Sequence, residues 1–286
     1  MAPRPVATAL GPSLPGTGRS RAARSPRGRK THRGAVIVDP HMHVGEFPLF
    51  DVALDESGLI ELFAEWEYDA GIVFHPDNEL TRGIVERVPN AWALFWANPR
   101  EPDCAERAAE LLDHPKFLGV KLHPLLDGYH PNDPSVHPVV ERLIERAMPV
   151  LVHCGHPIFT LPWSIEELAV QFPELRLVLG HMGHGNIVYI NGAIDVAERN
   201  PNVYLETSGM PMHSKIRTAF ERVGSDRVMY GSDAPFHDPG VELRKVEASG
   251  LDEEARRRVL GLNARRLFFG SDDASVTAPN GSGSDG

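Results

Sequence analysis

The stretch Ala35-Val36-Ile37-Val38-Asp39-Pro40-His41-Met42-His43 is an apolar run that closes on polar side chains, and it predicts a strand over Ala35–His41. Seven more runs follow the same plan: Gly71–His75, Ala93–Ala97, Leu118–His123, Val150–His153, Arg176–His181, Val203–Thr207 and Val228–Ser232. Amphipathic segments stand between them. Gly58–Tyr68 carries Leu59, Leu62, Phe63 and Trp66 at helical spacing, with Ser57 as its expected N-cap. Ser164 with Glu167 is a capping-box pattern opening Ile165–Phe172. Asn78–Val88, Asp103–Leu112, Pro138–Ala147, Ile187–Arg199, Ser214–Val223 and Asp252–Phe268 also read as helices.

Strands that alternate with helices imply βαβ units and a parallel sheet. Eight such units fit an α/β fold of the (β/α)₈ TIM-barrel type, whose usual length is about 250 residues. A doubly wound open sheet is the structural alternative, but no Gly-rich phosphate loop follows the first strand. In a barrel of this kind the active site lies at the C-terminal ends of the strands. Here those ends hold His41 and His43, His75, Lys121 and His123, His153, His181, Glu206 and Asp233.

His41 and His43 are two apart, so both project from one face of a strand. His153 and His181 each end an apolar run, and Asp233 supplies a carboxylate after the last strand. Imidazoles with a carboxylate suit Zn²⁺, with Mn²⁺, Fe²⁺ or Co²⁺ as the other ions. A lone rim histidine such as His75 reads as a solvated polar group; the ordered combination does not. Glu206 is placed to enter the site as a substrate contact, and so is His123. Cys154 alternates away from His153 and reads as core. Asp39 reads as a brace for the histidine pair. His156 and His184 read as loop histidines, and Phe159, Trp163 and Met210 as candidates for a pocket wall.

Composition narrows the partners. The chain has 286 residues, 42% hydrophobic and 24% charged, with a net charge of −10. Residues 1–33 hold eight Lys or Arg and no acid, which leaves 21 basic against 39 acidic residues in the remainder. A body that acidic is a poor nucleic-acid binder. The basic arm lacks an apolar signal core and reads as a disordered extension, with an organellar transit peptide as the alternative. Residues 271–286 read as a disordered Gly/Ser/Asp tail, and 34–270 as the barrel. Two cysteines fit a reducing compartment, hence a cytoplasmic location. No apolar run approaches the roughly 20 residues of a membrane span. The expected partner is a small-molecule substrate, with a homo-oligomer left open.

Six segments give the chain a family likeness. They are Asp39-Pro40-His41-Met42-His43, Gly119-Val120-Lys121-Leu122-His123-Pro124, Val152-His153-Cys154-Gly155, Gly180-His181-Met182-Gly183, Leu205-Glu206-Thr207-Ser208-Gly209 and Gly231-Ser232-Asp233-Ala234-Pro235. Through them, and through Gly261–Phe268, the chain resembles the amidohydrolase-2 branch of the amidohydrolase superfamily. The resemblance implies that His41, His43, His153 and Asp233 bind one divalent metal. It gives His181, Asp233 and Lys121 the catalytic work, with His181 orienting water or shuttling a proton and Asp233 able to accept one. A second metal bridged by a carboxylated Lys121 is the lesser alternative. Hydrolysis of a C–O or C–N bond in a lactone, amide or cyclic imide is the leading expectation. Non-oxidative decarboxylation of an aromatic or enolic acid is the alternative. A TatD-like nuclease fits less well, since that family has Glu where Lys121 stands. A silent scaffold protein is disfavoured by the full set of candidate ligands.

Overall fold

The computed structural model describes residues 35–271. The expected extension, 1–33, and residues 272–286 of the expected 271–286 tail lie outside the described residues. Eight strands form one parallel, curled sheet: β1 (Val38–His43), β2 (Ala70–Phe74), β3 (Ala91–Ala97), β4 (Phe117–Leu122), β5 (Pro149–His153), β6 (Arg176–Gly180), β7 (Val203–Glu206) and β8 (Val228–Met229). They pair in chain order, each with its successor, as repeated βαβ units require. β1 and β8 share no ladder. A parallel bridge between Met42 and Ala234 links the two edges instead. The His43 N–H donates to the Ala234 carbonyl at 2.6 Å, and the Asp233 N–H to that of His41 at 2.7 Å.

The strands are buried on both faces, and alternation sorts their side chains into two cores. Val73, Val120, Val150, Val152, Leu177, Leu179 and Leu205 face the helices. Ile72, Phe74, Leu94, Trp96, Leu118, Leu151, Val178 and Met229 fill the concave side, with Leu267 and Phe268 of the last helix packed among them. On β1 the alternation changes phase. Val38 lies in the concave core, while Met42 joins the helix-side core. An irregularity in the β1–β2 pairing between Asp39 and Met42 supplies the shift. His41 and His43 flank Met42 and therefore project into the concavity.

Helices α1 (Glu56–Trp66), α2 (Asn78–Arg87), α3 (Cys104–Leu112), α4 (His137–Glu145), α5 (Pro162–Gln171), α6 (Ile187–Arg199), α7 (His213–Val223) and α8 (Pro239–Ala248) cover the convex side. Their capping departs from expectation in two places. Asp55, rather than Ser57, caps α1 by accepting from the Gly58 N–H. The Ser164–Glu167 box does not form, because α5 starts three residues earlier than Ile165, at Pro162. The expected Asp252–Phe268 helix exists as Glu253–Arg257, a π turn over Arg258–Leu262, and Asn263–Phe269. Helix α8 and a hairpin of Gly45–Phe47 with Val52–Leu54 are additions to the expected elements. No helix among the described residues is long and apolar enough to cross a membrane.

Asp39 helps to tie the sheet edges together. Its buried carboxylate accepts from the backbone N–H of Ser232 at 3.1 Å and of His41 at 3.0 Å. Burial pushes its carboxyl up to about 7, against the pull of those hydrogen bonds. Between the unfolded value near 4 and that figure, the folded chain binds more protons than the unfolded one, so stability falls as pH rises. Asparagine removes the charge and keeps one of the two acceptor oxygens, Oδ1 with its bonds from His41 and Ser232. In metal-free protein the stability of Asp39→Asn relative to the wild type is therefore expected to rise from pH 5 to pH 8. An equal gap at both pH values in urea titrations contradicts this reading.

Candidate metal centre

The polar residues of the concave face gather at the C-terminal ends of the strands. His41 and His43 come from β1, Lys121 from β4, His123 from the residue after it, His153 from the end of β5 and Glu206 from the end of β7. His181 follows β6 with φ +66°, and Asp233 follows β8 with φ +57°. Left-handed backbone at non-glycine residues costs about 1–3 kcal/mol each and clusters where a side chain must be aimed. Here it turns His181 and Asp233 back over the strand ends.

His41, His43 and Asp233 form one of two three-residue donor groups among the described residues, the other being His41, His181 and Glu206. Asp233 Oδ1 lies 3.1 Å from His43 Nε2 and 3.4 Å from His41 Nε2. Two ligands of one ion with bonds of about 2.0–2.1 Å sit roughly 3.0–3.4 Å apart, so these spacings fit a shared metal. His41 is oriented from behind. Its Nδ1–H donates to Glu206 Oε2 at 2.6 Å, which leaves the Nε2 lone pair facing the concavity. That lone pair accepts from the Lys121 ammonium at 3.1 Å, so it already meets a cation. Burial holds His41, His43, His123, His153 and His181 well below the ordinary imidazole range. Neutral imidazole is the ligating form. Burial also raises the Asp233 carboxyl against the opposing pull of Lys121, and lowers Lys121 against the pull of Asp233 and Glu206.

The remaining expected residues divide. His153 does not join the donor group. Its Nδ1 lies 3.0 Å from His181 Nε2 and its Nε2 2.8 Å from His156 Nδ1, while its ring stacks on His123 with centroids 4.1 Å apart. His181 lies between His41 and His153, its centroid 4.6 Å from each. Glu206 is fully buried and spends its carboxylate on His41, on the His181 and Ser208 N–H groups and on the Ser208 hydroxyl. Glu206 thus lies beneath the histidines, where a substrate contact was expected. Asp39 reaches the β1 pair through the His41 N–H, and Cys154 is buried core as read. His75 stays at the rim, bonded to the Glu46 carbonyl and the Asp77 N–H.

Several neighbours of the site were not legible as such. His156 contacts His153, and His237 Nε2 lies 3.5 Å from Asp233 Oδ2. The ring of His43 is enclosed by Phe47, Phe74, Trp96 and Phe236, with centroids 4.5–6.1 Å away. Gly155, at φ +117°, lets the loop after β5 close on Gly183 of the loop after β6; a Cβ there would collide with the Gly183 backbone. In the Pro157-containing loop beyond it Ile158 is exposed and Phe159 half-buried, while Trp163 is 40% exposed and Met210 is buried.

A family profile described as amidohydrolase matches residues 38–270. The chain belongs to this amidohydrolase family. The gamma-resorcylate decarboxylase of Rhodococcus jostii (strain RHA1) is 30% identical to it over 148 residues, 41% of this chain and 45% of that protein. The match thus spans less than half the length of that relative. Among solved structures, a dihydroxybenzoic acid decarboxylase from Polaromonas sp. JS666, with bound manganese and the inhibitor 2-nitroresorcinol, has TM-score 0.67 and 16% identity, covering 82% of this chain and 97% of that one. A probable 2-pyrone-4,6-dicarboxylic acid hydrolase from Acinetobacter baumannii has TM-score 0.64 and 16% identity, covering 82% and 99%. At those identities the structures show a shared fold. These curated relatives are decarboxylases, the alternative of the two reactions that the family likeness implied.

Proposed function

We propose that this amidohydrolase catalyses metal-dependent, non-oxidative decarboxylation of an aromatic carboxylic acid, on a barrel closed between β1 and the segment after β8. The observation that carries the reading is the His41–His43–Asp233 donor group set beside a ring-lined wall and a buried lysine. His41, His43 and Asp233 hold one divalent ion of the zinc–manganese class, and His153 is the proposed fourth donor. Both three-residue groups that the described residues offer a metal contain His41, whose Nδ1 is committed to Glu206, and this favours one ion over two. The bound ion supplies a fixed positive charge that orients an anionic substrate and stabilises charge developing in the transition state.

The chain's own groups supply the rest. The Lys121 ammonium, buried at the floor, pairs with an anionic oxygen of the substrate. Phe47, Phe74, Trp96 and Phe236 exclude water and take the faces and edges of a ring. Asp233, beside the ring-lined wall, would relay a proton to the ring carbon that bears the carboxylate, and His181 with its hydrogen-bonded histidines would hold the proton that is passed on. The carbon–carbon bond then breaks, its electron pair restores the ring, and carbon dioxide leaves. The balance is one carboxylate and one proton in, one arene and one carbon dioxide out. The likeness to gamma-resorcylate decarboxylases supports this reading over hydrolysis, which would consume water and release no gas.

The test is turnover of hydroxybenzoates in deuterium oxide. Carbon dioxide release with one deuterium at the vacated ring position is expected, lost after dialysis against a chelator and restored by Mn²⁺ or Zn²⁺. Ring opening of a lactone without carbon dioxide, or turnover that survives complete metal removal, overturns the reading.

A further inference from the structure

The loop after β7 is held from outside the site by a buried pair on α8, Lys245 with Glu242, whose carboxylate also meets the Gly209 N–H of that loop. Lys245 on α8 donates to the Thr207 carbonyl at 3.0 Å and to the Met210 carbonyl at 2.8 Å, and it pairs with the Glu242 carboxylate one turn earlier on the same helix. Both side chains are nearly buried, Lys245 at 11% exposure and Glu242 at 4%. The two carbonyls accept hydrogen bonds from the ammonium, and the carboxylate balances its charge. The two carbonyls bracket Ser208 and Gly209, so the lysine fixes both ends of the turn. Gly209 completes that turn with φ +66°.

Ser208 is the only point at which this turn bonds His181. The His181 Nδ1 lies 3.2 Å from the Ser208 carbonyl and 3.0 Å from its hydroxyl. A carbonyl only accepts, so the proton of neutral His181 is on Nδ1 and Nε2 keeps its lone pair, directed at His153. We propose that Lys245 is a positioning residue: by clamping the Thr207 and Met210 carbonyls it places Ser208 so that His181 is held in one orientation and one tautomer. Removing a clamp of this kind moves the imidazole by a fraction of an ångström and leaves the donors of the metal group in place. For its kinetic part the inference rests on the proposed decarboxylation; for its structural part it stands alone.

The experiment compares Lys245→Met, Lys245→Arg and Glu242→Gln with the wild type as zinc-loaded protein. Nitrogen-15 spectra of the histidines read the tautomer directly. His181 is expected to be protonated on Nδ1 in the wild type and in Lys245→Arg, which can reach both carbonyls, and to become a tautomer mixture in Lys245→Met. On a turned-over aromatic acid, Lys245→Met should lose roughly 10–100-fold in kcat with KM within about threefold, since misplacement acts on the reacting geometry. The zinc content should not change. Glu242→Gln, which leaves the lysine in place, should move both readouts in the same direction by less, and it serves if Lys245→Met does not fold. An unchanged His181 tautomer in folded Lys245→Met, or a kcat loss that Lys245→Arg does not recover, overturns the proposal. If no aromatic acid is turned over, the proposed reaction fails while the spectra still decide the clamp.

Discussion

His41→Ala is expected to leave the chain without bound metal and without measurable turnover. His41 is completely buried and is used on both sides, with Nδ1 on Glu206 and Nε2 toward Asp233 and Lys121. Alanine removes one donor of three and takes one hydrogen bond from Glu206 Oε2, which keeps the His181 N–H and the Ser208 hydroxyl. Losing one hydrogen bond to a buried charged group costs about 1.5–3 kcal/mol, so the midpoint of denaturation should fall as well. Without the ion, an acid buried among neutral imidazoles has little to stabilise charge on the substrate, and a loss of at least about 10³-fold in kcat is the order expected when one preorganised electrostatic contact of this weight is removed. His75→Ala is the matched control, since that imidazole bonds only backbone groups at the rim. It should keep its metal and turn over within about twofold of wild type, as a surface change usually does. Metal analysis of the folded variants checks both; one ion per chain in His41→Ala would remove the donor group from the proposal.

The strands were readable because each is a short apolar run with an abrupt polar end. That pattern survives in sequence whatever the neighbours do, since a strand buried on both faces tolerates polar groups only where it leaves the sheet. It gave β1 through β8 to within a few residues. The same rule located His41, His43, Lys121 and His153, whose backbones continue the strands. Helix starts were less legible. A cap depends on which hydroxyl or carboxylate the preceding chain can bend back, and Asp55 wins over Ser57 because it sits at the last extended residue before α1. Helix α8 was missed although Asp238 followed by Pro239 is a start signal in its own right, with Asp238 accepting from the Val241 N–H. That oversight hid the Lys245–Glu242 pair.

The site itself was legible only as far as the strands reach. His156, His184 and His237 lie on loops whose paths are set by backbone that composition does not reveal: His181, Met182, His184 and Asp233 all have positive φ. The aromatic wall has the same origin, since Phe47 belongs to an unanticipated hairpin and Phe236 follows the turn at Asp233. His153 stands one ring away from the donor group for a related reason. Ending a strand brings a side chain to the rim, but the His181 turn interposes a ring between His153 and the donor group.

Glu206→Gln separates the two roles the sequence and the structure give that carboxylate. As a substrate contact it would raise KM and leave the metal untouched. As the group beneath His41 it should do the reverse. Oε2 accepts from His41 Nδ1, the His181 N–H and the Ser208 hydroxyl, while Oε1 accepts from the Ser208 N–H. A glutamine side chain has one acceptor oxygen, so its amide must turn N–H toward one of those donors. Rearrangement is blocked from the other side, because the carboxylate packs so closely on Gly231 that even a Cβ there would collide with it. Donor facing donor in the interior costs about 1–3 kcal/mol. The partner that can yield is the His41 imidazole, which would lose its fixed tautomer and with it the Nε2 lone pair aimed at the ion. Metal affinity is therefore expected to fall by roughly 10–100-fold, the usual effect of removing a carboxylate behind a ligating histidine. At saturating metal, KM should stay near the wild-type value. Competition against a zinc-chelating dye measures the first quantity and steady-state kinetics in excess metal the second. Unchanged affinity with a raised KM would return Glu206 to the substrate side of the site.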